Sequence, residues 1–289
     1  MKLVNAMAFG ALILGSSLPG SQVTQAQAQS VEAVGAVGEK TIVSRDGHKI
    51  AFYVTAGREP AIVLDAGGGL DASYWNTLIP ALSRATGARI ITYDRAGFGG
   101  SDNVDGPWDV HAATRDLEAG LKKLGATRKV VLVSHSLAGE IATYAALDHA
   151  SWFSGVVLVD ANVPQFYTDA TIAQQEASYA PVVAALKKAP TSPANRQLLA
   201  LAASFSETSR AFHQVKWPTA LPVTVIVSGG TPFDDDATAQ WWKDSHASFA
   251  AAAPNRTLVR ADDSSHDVAH DRPDIVVDAV VAMDQARSK

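Results

Sequence analysis

Six short apolar runs place the strongest constraint on how this chain can fold. Each is rich in valine, isoleucine or leucine and is almost unbroken by polar residues; they cover residues 61–64, 89–93, 129–133, 155–159, 222–227 and 256–259. A strand with one solvated face alternates polar and apolar residues, whereas a strand buried on both faces does not. The runs therefore predict parallel strands inside a sheet that is covered on both sides.

A hairpin precedes these runs, and helices separate them. Two short strand patterns over residues 41–44 and 49–54 flank an Asp-Gly dipeptide, which is typical of a tight hairpin turn. Residues 109–124 and 273–283 carry apolar residues at helical spacing. This alternation predicts an α/β fold with a mostly parallel eight-stranded sheet and helices on both faces. Ligands of such sheets bind beyond the carboxyl ends of the strands.

One interval, between Asp160 and Pro222, contains no convincing strand pattern. Its helical pieces, at residues 171–180, 182–188 and 195–204, are separated by prolines. The interval predicts a helical cap over about residues 162–220, inserted after the sixth strand and lying over the ligand edge. Its aromatic residues form either the roof of an apolar pocket or the interior packing of the cap: Phe166, Tyr167, Tyr179, Phe205, Phe212 and Trp217.

The N-terminal segment has the pattern of a secretory signal peptide. Lys2 precedes an apolar stretch over residues 3–14, and Ala26-Gln27-Ala28 offers a small-residue cleavage site. We expect residues 1–28 to be removed after Ala28, leaving a single domain over residues 29–289 in the periplasm or outside the cell. No later stretch reaches the roughly 20 apolar residues of a membrane span.

Composition excludes several classes of function. The chain contains no cysteine, so disulfides and thiolate metal sites are excluded. Its net charge of −5, without any run of lysine or arginine, argues against a nucleic-acid partner.

Ser136 lies where a serine nucleophile would be expected. It follows the apolar run at residues 129–133 and precedes a helical pattern beginning Leu137-Ala-Gly-Glu-Ile. In a nucleophile elbow, the residues two before and two after the serine must be small, because strand and helix pass close together. Ser134 and Ala138 are small although neither is glycine. The steric requirement is met, and the placement between strand and helix favours Ser136 as a nucleophile.

A serine nucleophile needs a histidine to accept its proton. His266 lies in the loop after the last apolar run and is favoured over His270, which is closer to the closing helix. The other histidines are interpreted as surface or locally hydrogen-bonded residues: His48, His111, His135, His149, His213 and His246.

The carboxylate that would orient this histidine has two candidates. In the segment after the run at residues 222–227, Thr231 occupies the position where an aspartate is commonly found. Asp160 ends the preceding run and faces the same crevice, so it is the favoured acid. Asp234 is the alternative if the later loop bulges.

Backbone N–H groups would stabilise the oxyanion of such a reaction. Leu137, directly after the serine, supplies one donor, and Gly68 in the Gly-Gly-Gly run after the strand at residues 61–64 is the predicted second donor. The run lacks the Gly-Lys-Ser/Thr of a phosphate-binding loop and the spacing of a dinucleotide-binding loop. No cofactor and no metal ion is expected.

Together these segments resemble the α/β-hydrolase fold serine hydrolases, of the esterase and lipase type, from about residue 41 to residue 283. The resemblance lies in residues 64–75, 93–102, the elbow around Ser136, 157–160, 265–266 and 272–273. It implies that Asp94 and Arg95 organise loops beneath the site. Two departures stand out: Ala66 replaces a histidine often found before the oxyanion glycine, and Thr231 replaces the usual acid.

The predicted function is hydrolysis of a carboxylic ester or related acyl bond through an acyl-enzyme. The substrate is expected to be a small molecule with an apolar portion. Serine at the elbow separates the chain from the dehalogenases and epoxide hydrolases of this fold, which use aspartate there. Amide, lactone and carbon–carbon bond hydrolysis stay open, since a fold does not fix a function. A catalytically silent ligand-binding protein is the other alternative, suggested by Thr231.

Overall fold

The computed structural model describes residues 35–189 and 192–286. The predicted leader and its cleavage site after Ala28 lie outside these residues. The eight strands are β1 (Glu39–Arg45), β2 (His48–Thr55), β3 (Arg58–Asp65), β4 (Ala88–Asp94), β5 (Val130–His135), β6 (Phe153–Val159), β7 (Val223–Ser228) and β8 (Arg256–Ala261). They form one sheet in the order β1-β2-β4-β3-β5-β6-β7-β8.

The sheet is mostly parallel, as the sequence predicts. The hairpin strands β1 and β2 pair antiparallel, and β2 joins β4 antiparallel. Every other neighbouring pair, from β4–β3 across to β7–β8, is parallel. All six residues of the central strand β5 are buried, which explains why its sequence shows no polar alternation. The predicted eight-stranded α/β architecture is confirmed.

Helices cover both faces of the sheet. They are α1 (Ile79–Thr86), α2 (Val110–Lys123), α3 (Ala138–His149), α4 (Asp169–Leu186), α5 (Pro193–His213), α6 (Asp236–Ala251), α7 (Val268–Asp271) and α8 (Pro273–Ala286). Leu132 of β5 belongs to one core layer with Ile141 of α3. Its neighbour Val131 belongs to the opposite layer with Leu82 of α1 and Val280 of α8. Within the described ranges, no helix has both the length and the apolar character to cross a membrane.

Two long helices, α4 and α5, occupy the interval between β6 and β7 for which a cap is predicted. The expected helix break at Pro181 is wrong, because Pro181 lies inside α4. Proline removes one backbone N–H and crowds the preceding turn. Two features oppose this cost: Thr168 closes a capping box at the start of α4, and Tyr179 packs edge-to-face on Phe205 of α5 with ring centroids 5.5 Å apart.

Candidate active site

Ser136 occupies a tight turn between β5 and α3. Its φ of 53° lies in the left-handed region, which is uncommon for a residue with a side chain. Its carbonyl oxygen accepts hydrogen bonds from the N–H groups of Gly139, at 3.0 Å, and Asn162, at 2.9 Å. A Cβ at Gly139 would lie 2.4 Å from the Asn162 carbonyl oxygen. The close approach of α3 and the loop at Asn162 therefore requires glycine at position 139. The small residues two before and two after the serine, Ser134 and Ala138, are completely buried.

His266, in the loop between β8 and α7, connects Ser136 to Asp160. Its Nε2 lies 3.0 Å from Ser136 Oγ, and its Nδ1 lies 2.6 Å from Asp160 Oδ2. A carboxylate can only accept, so Nδ1–H donates to Asp160 and Nε2 is free to accept the serine proton. The structure thus brings the three favoured residues into one hydrogen-bonded chain.

The alternative candidates lie apart from this chain. Asp234 is exposed in the loop before α6. His270 places its Nδ1 2.8 Å from Asp267 Oδ1 instead. The Thr231 hydroxyl accepts a hydrogen bond from the Phe233 N–H at 3.4 Å, so it belongs to a local turn.

Asp160 is completely buried and is held by several donors. Its Oδ1 accepts from Ser228 N–H at 3.0 Å and Trp242 Nε1–H at 2.9 Å, and its Oδ2 accepts from Ser228 Oγ–H at 2.7 Å. Burial raises the pKa of Asp160. This effect is outweighed by the hydrogen bond and charge of His266, by the charge of His246 and by the hydrogen bond from the Ser228 N–H, all of which lower the pKa. The net pKa lies below its usual range, which favours a carboxylate beside His266.

The two donors to Asp160, Ser228 and Trp242, were not predicted from the sequence. Ser228 ends β7 at the carboxyl edge of the sheet, a position that could have marked it as a site residue. Trp242 lies within α6, and nothing in its local sequence indicates this contact.

His135, expected at the surface or in a local hydrogen bond, is an interior residue with distant partners, so that prediction is wrong for it. His135 stacks on Tyr74 at 4.9 Å, and its Nε2 lies 3.1 Å from the carbonyl oxygen of His266. Burial, then the charge of His266, lowers the pKa of His135 to about 3, so it stays neutral and donates through Nε2–H. His246 is also completely buried, with Nε2 2.9 Å from the Ala161 carbonyl oxygen, and its Nδ1 lies in the expected local contact, 2.8 Å from the Trp242 carbonyl oxygen. The partners of His135 are distant in sequence and leave no local pattern.

The predicted oxyanion donors border the same space as Ser136. Gly68 and Leu137 both line the cavity above the serine. Within residues 35–189 and 192–286, neither backbone N–H donates to a protein acceptor. Both groups are therefore available to a ligand oxygen.

Arg95 supports the glycine-rich loop from beneath. Its Nη1 lies 2.6 Å from Asp65 Oδ1, and its guanidinium also donates to the carbonyl oxygens of Ala66 and Gly67. The loop is thus fixed by a buried guanidinium.

The cavity encloses about 620 Å³, including the space at its mouth. Its walls are Gly68, Trp108, Ser136, Leu137, Glu140, Asn162, Tyr167, Gln175, Tyr179, Leu201, Phe205, Thr208, Ser209, Pro232, Phe233, Trp242 and His266. Three of the six predicted cap aromatics, Tyr167, Tyr179 and Phe205, line this space. The others, Phe166, Phe212 and Trp217, belong to the hydrophobic core. No group of three or more acidic or histidine side chains in the described part of the chain is arranged to hold a metal ion.

Glu140, in the first turn of α3, is a cavity residue that the sequence analysis missed. It is 3% exposed, and its Oε1 accepts a hydrogen bond from Asn162 Nδ2 at 2.7 Å. Burial raises the pKa of Glu140 to about 7, against the opposing effect of hydrogen bonding by Asn162 and the neighbouring Tyr167. The sequence feature that could have indicated this residue is a single glutamate among the apolar residues that begin α3.

Replacing Glu140 by glutamine is expected to stabilise the protein increasingly as pH rises. Between its ordinary pKa of 4.5 and about 7, the folded wild type holds a proton that the unfolded chain has released, so wild-type stability falls with pH. Glutamine resembles the protonated acid and lacks this loss, which amounts to at most about 3 kcal/mol. Urea unfolding from about pH 5 to about pH 8 measures the difference. Exposed Glu39→Gln is the control for removing one charge, and a Glu140→Gln difference independent of pH would contradict the prediction.

The sequence places this fold and site in a known family. Residues 62–279 match the family described as "Alpha/beta hydrolase family". The chain belongs to that family.

Individual relatives show how far the similarity extends. The chain is 26% identical over 219 residues to the uncharacterized protein YqjL of Bacillus subtilis, covering 74% of this chain and 79% of YqjL. It is 30% identical over 117 residues to a pimeloyl-[acyl-carrier protein] methyl ester esterase of Vibrio atlanticus, covering 40% and 41% of the two chains. Among solved structures, a bromoperoxidase from Bacillus anthracis superposes with a TM-score of 0.65 at 20% identity, covering 85% of this chain and 99% of the other. At that identity the superposition supports the fold alone.

Proposed function

We propose that the protein is a serine hydrolase that cleaves a carboxylic ester or a related acyl bond of a small molecule. Ser136 is the nucleophile, His266 the general base and acid, and Asp160 the orienting carboxylate. The observation that carries the proposal is the continuous hydrogen-bonded chain from Ser136 Oγ through His266 to a buried carboxylate.

The reaction follows from this geometry in two halves. Ser136 Oγ attacks the carbonyl carbon while its proton moves to His266 Nε2, and Asp160 stabilises the resulting imidazolium. The N–H groups of Gly68 and Leu137 hold the oxyanion, where each donor contributes about 3 kcal/mol to lowering the barrier. His266 then protonates the leaving group, and a water molecule attacks the acyl-enzyme with His266 again acting as the base.

The surroundings of the site support an ester with an apolar portion. The cavity above Ser136 is lined by six aromatic side chains and opens to solvent. One family relative is described as a methyl ester esterase, and similar folds include an esterase from Exiguobacterium antarcticum. Thr231 was the reason for considering a silent binding protein; the 2.6 Å distance between Asp160 Oδ2 and His266 Nδ1 supports the hydrolase instead.

A fluorophosphonate probe tests the nucleophile without knowledge of the natural substrate. We expect covalent labelling of the folded protein at one site, with peptide mass analysis locating the probe on Ser136. His266→Gln should label far more slowly, because the serine then lacks its base. Circular dichroism confirms folding in each sample. A folded wild-type protein that takes up no label would refute the proposal.

A further inference from the structure

The wall of the active-site cavity carries one carboxyl group. Among the described residues that line it, Glu140 is the sole acidic side chain, and there is neither lysine nor arginine. Most of the remaining large side chains are aromatic: Trp108, Tyr167, Tyr179, Phe205, Phe233 and Trp242. An ionised Glu140 therefore makes this pocket electronegative, and His266 is the one residue of this wall that can carry a positive charge.

The Glu140 carboxyl is incompletely satisfied by the protein. Its Oε1 accepts from Asn162 Nδ2–H at 2.7 Å, and the Tyr167 hydroxyl beside the carboxyl lowers its pKa, but no described group lies in full hydrogen-bond geometry to the buried Oε2. An unpartnered carboxylate oxygen in such a site is costly. Glu140 is 3% exposed and its Oε2 lacks a well-aligned donor, although it lines the cavity. A ligand group that interacts with this carboxylate would account for the residue better than packing alone.

We propose that Glu140 recognises a cationic substituent, so that the preferred substrates are acyl esters bearing an ammonium group in the part that enters this cavity. The inference rests on the proposed hydrolase function and names its substrate class. An ammonium ion would neutralise the Glu140 carboxylate. The aromatic walls would also attract it, because the faces of tryptophan, tyrosine and phenylalanine rings are electronegative.

The titratable groups facing Glu140 allow its charge to be tested by pH. They are the hydroxyls of Tyr144 on α3, Tyr167 between β6 and α4, and Tyr179 on α4, next to Tyr167. Burial raises the pKa of all three tyrosines, so they stay neutral near pH 7. Over that range Glu140, whose pKa is about 7, is the member of this group that gains a charge as pH rises.

The experiment compares matched pairs of p-nitrophenyl esters. One member of each pair carries a terminal trimethylammonium group, the other the uncharged tert-butyl isostere, over a series of acyl chain lengths. At the best length, we expect wild type to favour the ammonium ester by about 10-fold or more in kcat/KM. In Glu140→Gln, the kcat/KM ratio of the ammonium ester to the tert-butyl ester should fall most of the way to one, whatever the effect of the substitution on absolute rates. Glu118→Gln, a buried glutamate of α2 outside the cavity wall, is the matched control and should keep the ratio.

The pH profile separates recognition by a carboxylate from other roles of Glu140. The wild-type ratio should rise from about pH 6 to about pH 8 as Glu140 ionises, and it should be flat in Glu140→Gln. Because both esters use the same catalytic residues, the titration of those residues divides out. A ratio near one at every chain length would overturn the proposal, as would a ratio that falls with pH or survives in Glu140→Gln.

A failure of the hydrolase proposal can be told apart from a failure of this one. If no ester is hydrolysed, calorimetric titration of the uncleaved pairs into the Ser136→Ala protein still measures the cavity's preference. Tighter binding of the ammonium member, lost in Ser136→Ala/Glu140→Gln, supports the subsite. Equal binding of the two members, or binding of neither, rejects it.

Discussion

Replacing Ser136 by alanine is expected to lower kcat for a p-nitrophenyl ester by about 10⁶-fold and to leave KM within a few-fold of wild type. The variant lacks the atom that attacks the carbonyl carbon, whereas the cavity walls and the oxyanion donors stay in place. The residual rate should be that of water attack assisted by Gly68 and Leu137. Steady-state kinetics with the enzyme at high concentration measure it.

Ser134 provides the control for this prediction. It lies two residues before Ser136, near the end of β5, is completely buried, and its hydroxyl has no hydrogen-bond partner in the described part of the chain. Ser134→Ala therefore removes a serine hydroxyl without breaking a hydrogen bond, and kcat should stay within about threefold of wild type. Equal losses in the two variants would show that the turn is merely fragile and that Ser136 is not the nucleophile.

The sheet was predictable because burial leaves a direct record in the sequence. β5 and β6 lie in the middle of the sheet, and a strand buried on both faces can carry few polar residues. Alternation with helices then restricts the architecture to a few arrangements. The elbow was predictable for the related reason that close backbone approach requires small residues on both sides of Ser136. These are local requirements, and local requirements are what sequence patterns express.

The rest of the site depends on contacts that are distant in sequence. Asp160 and His266 are 106 residues apart, and only the pairing of β6 with β7 and of β7 with β8 brings them together. The sequence placed both aspartate candidates near the same edge and favoured Asp160, with Asp234 left as the alternative. It also gave no reason to expect that His135 would donate to the backbone of His266.

Glu140 illustrates a different limit of sequence reasoning. A carboxylate in the first turn of a helix is favourable wherever the helix N-terminus is solvated, so the residue type alone carries little information. Only the closure of the cavity by residues of α4 and α5 makes its position unusual.

The environment of Asp160 makes it the most informative residue for testing the arrangement. Its two oxygens together accept four hydrogen bonds, from His266, Trp242 and two groups of Ser228. Its φ of 43° lies in the sparsely populated left-handed region, which aspartate and asparagine tolerate better than most residues. Asparagine can therefore keep the backbone and the donors to Oδ1 while it changes the group that faces the histidine.

Asp160→Asn is accordingly expected to lower kcat by about 10⁴-fold with little change in KM. The amide nitrogen of asparagine would donate to His266 Nδ1, so the histidine proton would move to Nε2, and Nε2 could no longer accept the proton of Ser136. The carboxylate charge that stabilises the imidazolium would be lost as well.

Asp234→Asn makes the same chemical change at the exposed alternative position and should leave kcat within about threefold of wild type. Circular dichroism and steady-state kinetics of both variants provide the test. A larger loss in Asp234→Asn than in Asp160→Asn would mean that the loop before α6 supplies the acid during turnover, and the assignment of Asp160 would have to be withdrawn.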